Sequence, residues 1–206
     1  MDVRFSQEEF YKLKNHLVHY TCALKNMETR VNILIEDFNL HQDNPIEHVK
    51  ARLKSPESIA AKLKRRGFAI TADSAIKNLT DIAGIRCICS FSPDIITMAD
   101  ILRRQEDMTI LYERDYINSP KPSGYRSFHL GVELPIYLAH ETLRIPVEVQ
   151  LRTQAMDFWA TLEHKARYKY DNEVPESVTA ELVECSNEID QLDERMYEIH
   201  RQMKML

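Results

Sequence analysis

Two acidic residues lie where apolar side chains are expected, and their chemistry suggests a metal site. In the segment I-P-V-E-V-Q-L-R-T, apolar residues alternate with Glu148, Gln150 and Arg152, as they do on a β-strand. Asp81 lies at the turn that enters a second apolar strand. Two carboxylates brought together on a sheet would bind Mg²⁺ and, through it, a nucleotide. The spacing alone leaves another interpretation open, in which the two acids are separate and are exposed or ion-paired.

A cluster of positive charge earlier in the chain could hold phosphate groups. Arg52 and Lys54 alternate in an extended stretch, and Ser55 followed by Pro56 predicts the start of a helix that carries Lys62. Cations beside the free N–H groups of a helix N-terminus suit a phosphate chain. Because the whole protein has a net charge of −5, this local cluster suggests a pocket for a small polyanion. A solvated helix face is the alternative.

A loop at 118–124, with two prolines and one glycine, leads into a strand predicted over 125–134. Loops held on a rigid sheet are where chemistry is usually placed. Four glycines occur in the chain, and none of them forms a Walker loop or a dinucleotide fingerprint. Any bound phosphate groups would therefore have to be held by Lys and Arg side chains.

The elements that must position these residues follow from the hydrophobic periodicity. Strands are predicted around 85–91, over 109–117 and 125–134, and around 147–151. Helices are predicted from Ser55 to Gly67, over 92–105 and over 153–170. Strands interleaved with helices predict an α/β (α+β) fold with a mixed β-sheet flanked by helices.

Both ends of the chain keep a heptad spacing of apolar residues, which predicts long helical arms. The first arm begins with a predicted capping box of Ser6 and Glu9 and forms one long helix or two. The last has a narrow apolar seam typical of a coiled coil, which predicts packing on the first helix, on a partner subunit or on both. Its seam consists of Val178, Leu182, Cys185, Ile189, Leu192, Met196, Ile199, Met203 and Leu206. The predicted domains are residues 1–43, 44–170 and 171–206.

Composition excludes several classes of protein. Hydrophobic residues make up 44% and charged residues 29%, as in ordinary soluble proteins, and no apolar run is long enough to span a membrane. The net charge argues against a protein that coats nucleic acid. Four cysteines lack the spacing of a metal site, so we expect reduced thiols and a cytoplasmic protein.

Four motifs, in order, carry a family resemblance. The segments R-L-K-S-P-E-S-I-A-A-K, D-I-A-G-I-R, K-P-S-G-Y-R-S-F-H and V-E-V-Q-L-R-T resemble the synthetase domain of RelA/SpoT-type alarmone synthetases, and more narrowly the small alarmone synthetases. The resemblance covers about 44–170. It implies a nucleotidyltransferase-like sheet and transfer of the β,γ-pyrophosphate of ATP to the 3′-hydroxyl of GDP or GTP. Asp81 would then hold Mg²⁺, and Glu148 would share the metal or accept the hydroxyl proton.

The resemblance also assigns roles to the remaining candidate residues. Arg52 and Arg86 resemble the pair that sandwiches adenine, while Lys54, Ser55 and Lys62 would hold the ATP phosphates. On the acceptor side, Tyr125 resembles the residue that stacks on guanine. The other residues implied on that side are Arg114, Lys121, His129 and Asp157. Many relatives carry Asn where this chain has Asp157, and an exposed helical acid is an equally good interpretation there.

The resemblance further implies a homo-oligomer, since the small members are typically tetramers, and it allows a regulatory RNA as a partner. Two other functions stay open on the sequence. One is pyrophosphorylation of the 3′ end of tRNA by the same fold. Binding tRNA would require a basic surface near the site, and the acidic C-terminal region does not provide one. The other is a non-catalytic nucleotide- or RNA-binding regulator, against which the retained acids Asp81 and Glu148 count.

Overall fold

A five-stranded mixed β-sheet carries the polar residues singled out above. The computed structural model describes residues 4–169 and 175–205. The strands are β1 (Ile46–Leu53), β2 (Ala83–Cys89), β3 (Thr109–Asp115), β4 (Phe128–Tyr137) and β5 (Thr142–Thr153). They lie in the order β1-β2-β5-β4-β3, with β2 and β5 parallel and the other neighbouring pairs antiparallel. The predicted mixed sheet is confirmed.

Six helices flank this sheet in the described part of the chain. They are α1 (Gln7–Leu40), α2 (Pro56–Arg65), α3 (Ala72–Asn78), α4 (Ser92–Arg103), α5 (Gln154–Lys169) and α6 (Glu176–Met203). The predicted start of α2 is confirmed, because Ser55 accepts a hydrogen bond from the backbone N–H of Ser58, and Gly67 follows the helix with φ +73°. Tyr170 and Leu206, which the sequence placed in helices, lie outside the described residues.

The sheet has one apolar face and one polar face because side chains alternate along each strand. On β5, Val147, Val149 and Leu151 are fully buried and belong to one core cluster with residues of α1 and α4. Glu148 and Gln150 point to the opposite face. Burial of the apolar face stabilises the sheet and thereby fixes the direction of the polar side chains.

Helix α1 is a single helix, and its first turn differs from the prediction in one bond. Ser6 caps it as expected, accepting a hydrogen bond from the N–H of Glu9. The capping box also predicted that the backbone N–H of Ser6 donates a hydrogen bond to the Glu9 carboxylate, and this part of the prediction is wrong. That carboxylate instead accepts a hydrogen bond of 2.6 Å from the N–H of Ala72, at the first position of α3. The free N–H groups of α3 attract the carboxylate and tie the two helices together.

Strand β4 begins at Phe128, three residues later than predicted, which places Tyr125 in a loop. The carbonyl of Tyr125 accepts a hydrogen bond from the N–H of Lys121, and the N–H of Gly124 donates to the carbonyl of Lys121. Gly124 has φ +88°, a conformation that favours glycine. These hydrogen bonds within the turn use backbone N–H and carbonyl groups that would otherwise pair with a neighbouring strand. The strand therefore begins only after the turn.

Helix α6 packs mainly on α5 and α4 among the described residues, whereas the sequence predicted packing on the first helix, on a partner subunit or on both. Its inward face is polar in part, with Ser186 buried and Asp190 ion-paired to the domain. The predicted seam is therefore divided. Its C-terminal members are exposed, with exposed fractions between 49% and 67%: Leu192, Met196, Ile199 and Met203. None of the described helices is long and apolar enough to cross a membrane.

Candidate active site

A cleft of about 500 Å³ opens on the polar face of the sheet. Its walls come from β1, β2, β5 and the turn before β2. The polar residues that line it are Lys50, Arg52, Lys54, Asp81, Arg86, Glu148 and Gln150. The sequence predicted that Asp81 and Glu148 would meet, and the structure brings both to this one cleft. The reason is the register of β2 and β5, which pairs Gly84 with Glu148 and leaves Asp81 three residues earlier, at the mouth of the same pair.

Asp81 is held by two lysines. Its Oδ2 atom accepts a hydrogen bond of 2.5 Å from Lys54 Nζ and another from Lys62 Nζ, and its side chain is 15% exposed. Burial alone would raise the pKa of Asp81, but the two ammonium groups outweigh it and lower that pKa. Burial also lowers the pKa of Lys62. The other oxygen, Oδ1, is buried and has no hydrogen-bond partner among the described residues.

Glu148 is held by neutral donors and an imidazole. Its Oε1 accepts a hydrogen bond of 3.0 Å from the Tyr112 hydroxyl and lies 3.5 Å from His129 Nδ1. Its Oε2 accepts one of 2.7 Å from Gln150 Nε2. Burial alone would raise the pKa of Glu148, but His129, Gln150 and Tyr112 together lower it to about 2. The carboxylate is therefore ionised and fixed in direction at neutral pH.

Tyr112 reaches Glu148 because Gly131 lies between them. Strand β4 pairs Gly131 with Tyr112 on one side and with Glu148 on the other. A Cβ atom at 131 would lie only 2.1 Å from a carbon of the Tyr112 ring. The ring therefore crosses β4 over the glycine, and the Arg114 guanidinium lies 4.6 Å from the ring centroid. The sequence analysis missed Tyr112 and Gly131; alternation along β3 was the available signal for Tyr112.

The residues predicted for the ATP side take positions around Asp81. Arg52 on β1 is exposed in the cleft, and Arg86 comes from the neighbouring strand β2. Lys54 and Lys62 hold the acid itself. Ser55 is exposed, and its hydroxyl caps α2 while donating a hydrogen bond of 3.1 Å to Ser58 Oγ. Arg52, Lys54 and Arg86 thus line the cleft, and both lysines are bonded to Asp81.

The residues predicted for the acceptor side form a second cluster around Tyr125. The Tyr125 hydroxyl lies 2.9 Å from His129 Nε2, and Lys121 Nζ lies 4.5 Å from the centroid of the Tyr125 ring. Tyr116 packs edge-on against both Tyr125 and His129. Because His129 also faces Glu148, the cluster adjoins the cleft directly. Tyr125 lies in the loop before β4 rather than on the sheet face, and its side chain is part-buried.

Asp157 joins the two clusters. Its Oδ1 accepts a hydrogen bond of 2.8 Å from Arg86 and one of 3.1 Å from Arg152. Arg152 is 4% exposed and also donates to the Tyr125 hydroxyl over 2.5 Å. The interpretation of Asp157 as an exposed helical acid is wrong, because its side chain is 13% exposed and ion-paired. The sequence placed Arg152 on the face of Glu148 but assigned it no role in the site.

The two carboxylates of the cleft suit a hard cation for which water and substrate phosphates supply most of the ligands. The described residues contain no group of three or more His, Cys, Asp or Glu side chains able to hold a metal ion by themselves. Mg²⁺ commonly uses one or two carboxylates together with substrate phosphates. The buried Oδ1 of Asp81, which lacks a partner in the described part of the chain, fits such an ion.

Comparison with known proteins places the chain in a family. Residues 51–173 match the model of a region found in RelA / SpoT proteins. The chain is 46% identical over 191 residues to GTP pyrophosphokinase YwaC of Bacillus subtilis, a match that covers 92% of this chain and 91% of the relative.

Two solved structures extend the similarity to the fold. The small alarmone synthetase 1 of Bacillus subtilis bound to its product pppGpp has a TM-score of 0.87 and 36% identity, covering 93% of this chain and 97% of that one. The same synthetase bound to AMPCPP has a TM-score of 0.79 and 32% identity, with coverages of 95% and 100%. Over nearly its whole length, the chain belongs to the RelA/SpoT family and resembles its small synthetases.

Proposed function

We propose that this protein is a GTP pyrophosphokinase, a (p)ppGpp synthetase that transfers the β,γ-pyrophosphate of ATP to the 3′-hydroxyl of GDP or GTP. The observation that carries the proposal is the single cleft that unites Asp81 and Glu148 with Arg52, Lys54 and Arg86. The similarity to a relative named for this activity, and to structures that hold pppGpp and AMPCPP, supports the same conclusion. In the reaction, the 3′-oxygen would bond to the β-phosphorus, and the α–β bridge would break to release AMP.

Asp81 and Glu148 are the residues we assign to hold Mg²⁺. When bound, the ion would supply positive charge that neutralises the negative charge developing as the α–β bridge of ATP breaks. Asp81 would offer Oδ1 to the ion. Lys54 and Lys62 would move from Oδ2 of Asp81 to the phosphates of the incoming ATP. The lysines would thus exchange one anionic partner for another, which keeps buried charge paired at each stage.

Glu148 had two alternative roles on the sequence, as metal ligand or as proton acceptor. A pKa of about 2 supports the first role, because a general base works best when its pKa lies near the working pH. His129, Gln150 and Tyr112 would keep the carboxylate charged and pointed into the cleft. The lowered pKa also means that neutral pH gives a fully ionised ligand.

The two nucleotides would lie on either side of these acids. We assign adenine to Arg52 and Arg86, whose planar guanidinium groups can stack on a base, and the ATP phosphates to Lys54, Ser55 and Lys62. The remaining assignments concern the guanine nucleotide. Tyr125 would stack on guanine, and Arg114, Lys121 and His129 would contact its phosphates or ribose.

Asp157 has one carboxylate oxygen to offer to guanine. Both arginines that bind it use Oδ1. We therefore assign Oδ2 to the guanine N1–H and N2–H groups. The ion pairs would also hold Asp157 charged and Arg86 in place.

Acceptor labelling tests the proposed function. We expect ³²P from γ-labelled ATP to appear in GDP or GTP in the presence of Mg²⁺, while GMP serves as a further acceptor and tRNA as the test of the alternative reaction. Asp81→Ala should abolish labelling while circular dichroism shows a folded protein. Label in tRNA alone would replace the proposal with the tRNA reaction, and label in no acceptor would support a non-catalytic regulator.

The exposed stripe of Leu192, Met196, Ile199 and Met203 supports self-association, and the resemblance suggests a tetramer. We propose that a second copy of the chain covers this stripe. Met196→Glu combined with Ile199→Glu should reduce the mass measured by light scattering, whereas Arg195→Glu on the same helix should not. An unchanged mass in the double variant would refute the proposal. Regulation by RNA and a cytoplasmic location stay predictions.

A further inference from the structure

The acceptor loop is attached to helix α6 on both sides of Tyr125. On one side, the Gly124 carbonyl accepts a hydrogen bond of 2.5 Å from the Ser186 hydroxyl, which is buried. On the other side, Arg126 Nη2 lies 3.2 Å from an Asp190 carboxylate oxygen. The residues before and after Tyr125 are thus both bonded to helix α6.

The contact at Gly124 is close as well as polar. A Cβ atom at this position would lie 3.0 Å from Ser186 Cβ, and 3.2 Å from both a Trp159 ring carbon and Val183 Cα. The backbone of the loop therefore rests directly on α6. Because φ is +88° at Gly124, the turn that presents Tyr125 is bound to the helix at the point where it reverses.

Arg126 connects this helix to the start of the loop too. Its Nη1 donates a hydrogen bond of 2.9 Å to the Ile117 carbonyl, and its Nη2 also reaches Asn187 over 3.2 Å. Helix α6 is itself fixed to α5, because Trp159 Nε1 donates to the Leu182 carbonyl over 2.8 Å. The loop is therefore held at its start, its turn and its end by one rigid support.

None of the described residues that line the cleft comes from α6. We propose that Ser186 and Asp190 are positioning residues for the acceptor nucleotide, which act by holding Tyr125 in its binding position. The inference rests on the proposed function, in which Tyr125 stacks on guanine. It gives α6 a role in the site of its own subunit, in addition to the self-association proposed for its exposed stripe.

The expected effect is a loss of acceptor affinity with little effect on ATP. If a variant leaves the loop in its binding position only a fraction of the time, the apparent dissociation constant rises by the inverse of that fraction. Removing a donor from a buried carbonyl is sufficient to change the equilibrium between the two loop positions by about tenfold, so the populated fraction falls by up to about tenfold. Most of the ATP residues lie on β1, on α2 and in the connection between them, away from these contacts. Arg86 on β2 is linked to the Tyr125 hydroxyl through Asp157 and Arg152, but it has no bond to Ser186 or Asp190 among the contacts described.

The test is Ser186→Ala, Asp190→Ala and the two together, with Glu188→Ala as the matched control. Glu188 is exposed on the same helix. We expect the acceptor KM to rise several-fold, up to about tenfold, in Ser186→Ala and further in the double variant. The KM for ATP and kcat should stay within about twofold, and the control should match the parent protein. Light scattering and thermal unfolding must show the same mass and a folded domain in each variant.

A second measurement separates failure of this inference from failure of the proposed function. Amide hydrogen exchange of 121–127 should be several-fold faster in Ser186→Ala and in the double variant, whether or not the protein transfers pyrophosphate. Faster exchange together with an acceptor-specific rise in KM supports the proposal. Unchanged exchange, unchanged acceptor KM, or equal rises for both nucleotides would each overturn it. Absence of transfer in the parent protein would refute the proposed function, and the inference with it.

Discussion

The two carboxylates of the cleft are held in opposite ways. Asp81 is neutralised by two ammonium groups on one oxygen and leaves the other oxygen without a partner in the described chain. Glu148 receives hydrogen bonds on both oxygens from a tyrosine and an amide, with an imidazole beside it. The first arrangement can be rearranged by any incoming polyanion, whereas the second is fixed by the sheet. The comparison suggests that Asp81 adapts to substrate binding and Glu148 provides a constant charge.

The largest effect should come from removing either charge. Asp81→Asn and Glu148→Gln keep the size of the side chains, and we expect each to lower kcat by about a thousandfold because the metal loses an anionic ligand. The rate of pyrophosphate transfer at saturating ATP, GDP and Mg²⁺ measures this. Asp37→Asn, which removes an exposed carboxylate on α1, is the control. If Glu148→Gln retained more than a tenth of the activity, its assignment as a metal ligand would be wrong.

A smaller effect concerns Asp81, whose lysine partners would move to the ATP phosphates. Lys62→Met removes one of the cations that would pass from Asp81 to the ATP phosphates, and we expect the KM for ATP to rise about tenfold or more, as for other charge-assisted contacts. The KM for GDP should change less than about twofold. Lys64→Met, at an exposed position of the same helix, should leave both constants unchanged. Equal rises for ATP and GDP would show that Lys62 only supports the fold.

The smallest effect concerns Glu148, the carboxylate that the sheet holds fixed, and it is tested by the pH dependence of stability. Glu148 has a pKa of about 2, below its ordinary value of 4.5, so its stabilising contribution is complete above pH 4.5 and is lost as the pH falls toward 2. Tyr112→Phe removes one of the hydrogen bonds that lower this pKa. Urea unfolding without metal should show the variant less stable by about 1 kcal/mol at pH 7, with the difference shrinking at pH 2.

Tyr137→Phe serves as the control for this titration, because the Tyr137 side chain is 75% exposed and far from these contacts in the sheet register. A difference between Tyr112→Phe and the parent protein that is the same at pH 7 and pH 2 would contradict the proposed link between the hydroxyl and Glu148.

Periodicity predicted the sheet and the helices, because alternation follows from local chemistry, and motif order predicted that Asp81 and Glu148 share one site, which agrees with their place in one cleft. The details that failed depend on partners distant in the chain. Glu9 bonds α3 rather than its own helix, and Asp157 is ion-paired because the fold brings Arg86 to it. Helix α6 turns polar residues inward because Gly124 and Arg126 bind them, a fact that the heptad pattern alone does not contain.

The crossing of the Tyr112 ring over Gly131 has an evolutionary consequence. Any side chain at 131 needs the volume that the ring occupies, so the two positions are free to vary only as a pair. Homologous sequences that carry a larger residue at 131 should lack an aromatic ring at 112 and should anchor their glutamate by another route. An alignment in which alanine at 131 regularly accompanies tyrosine at 112 would show that the backbone can shift enough to admit both.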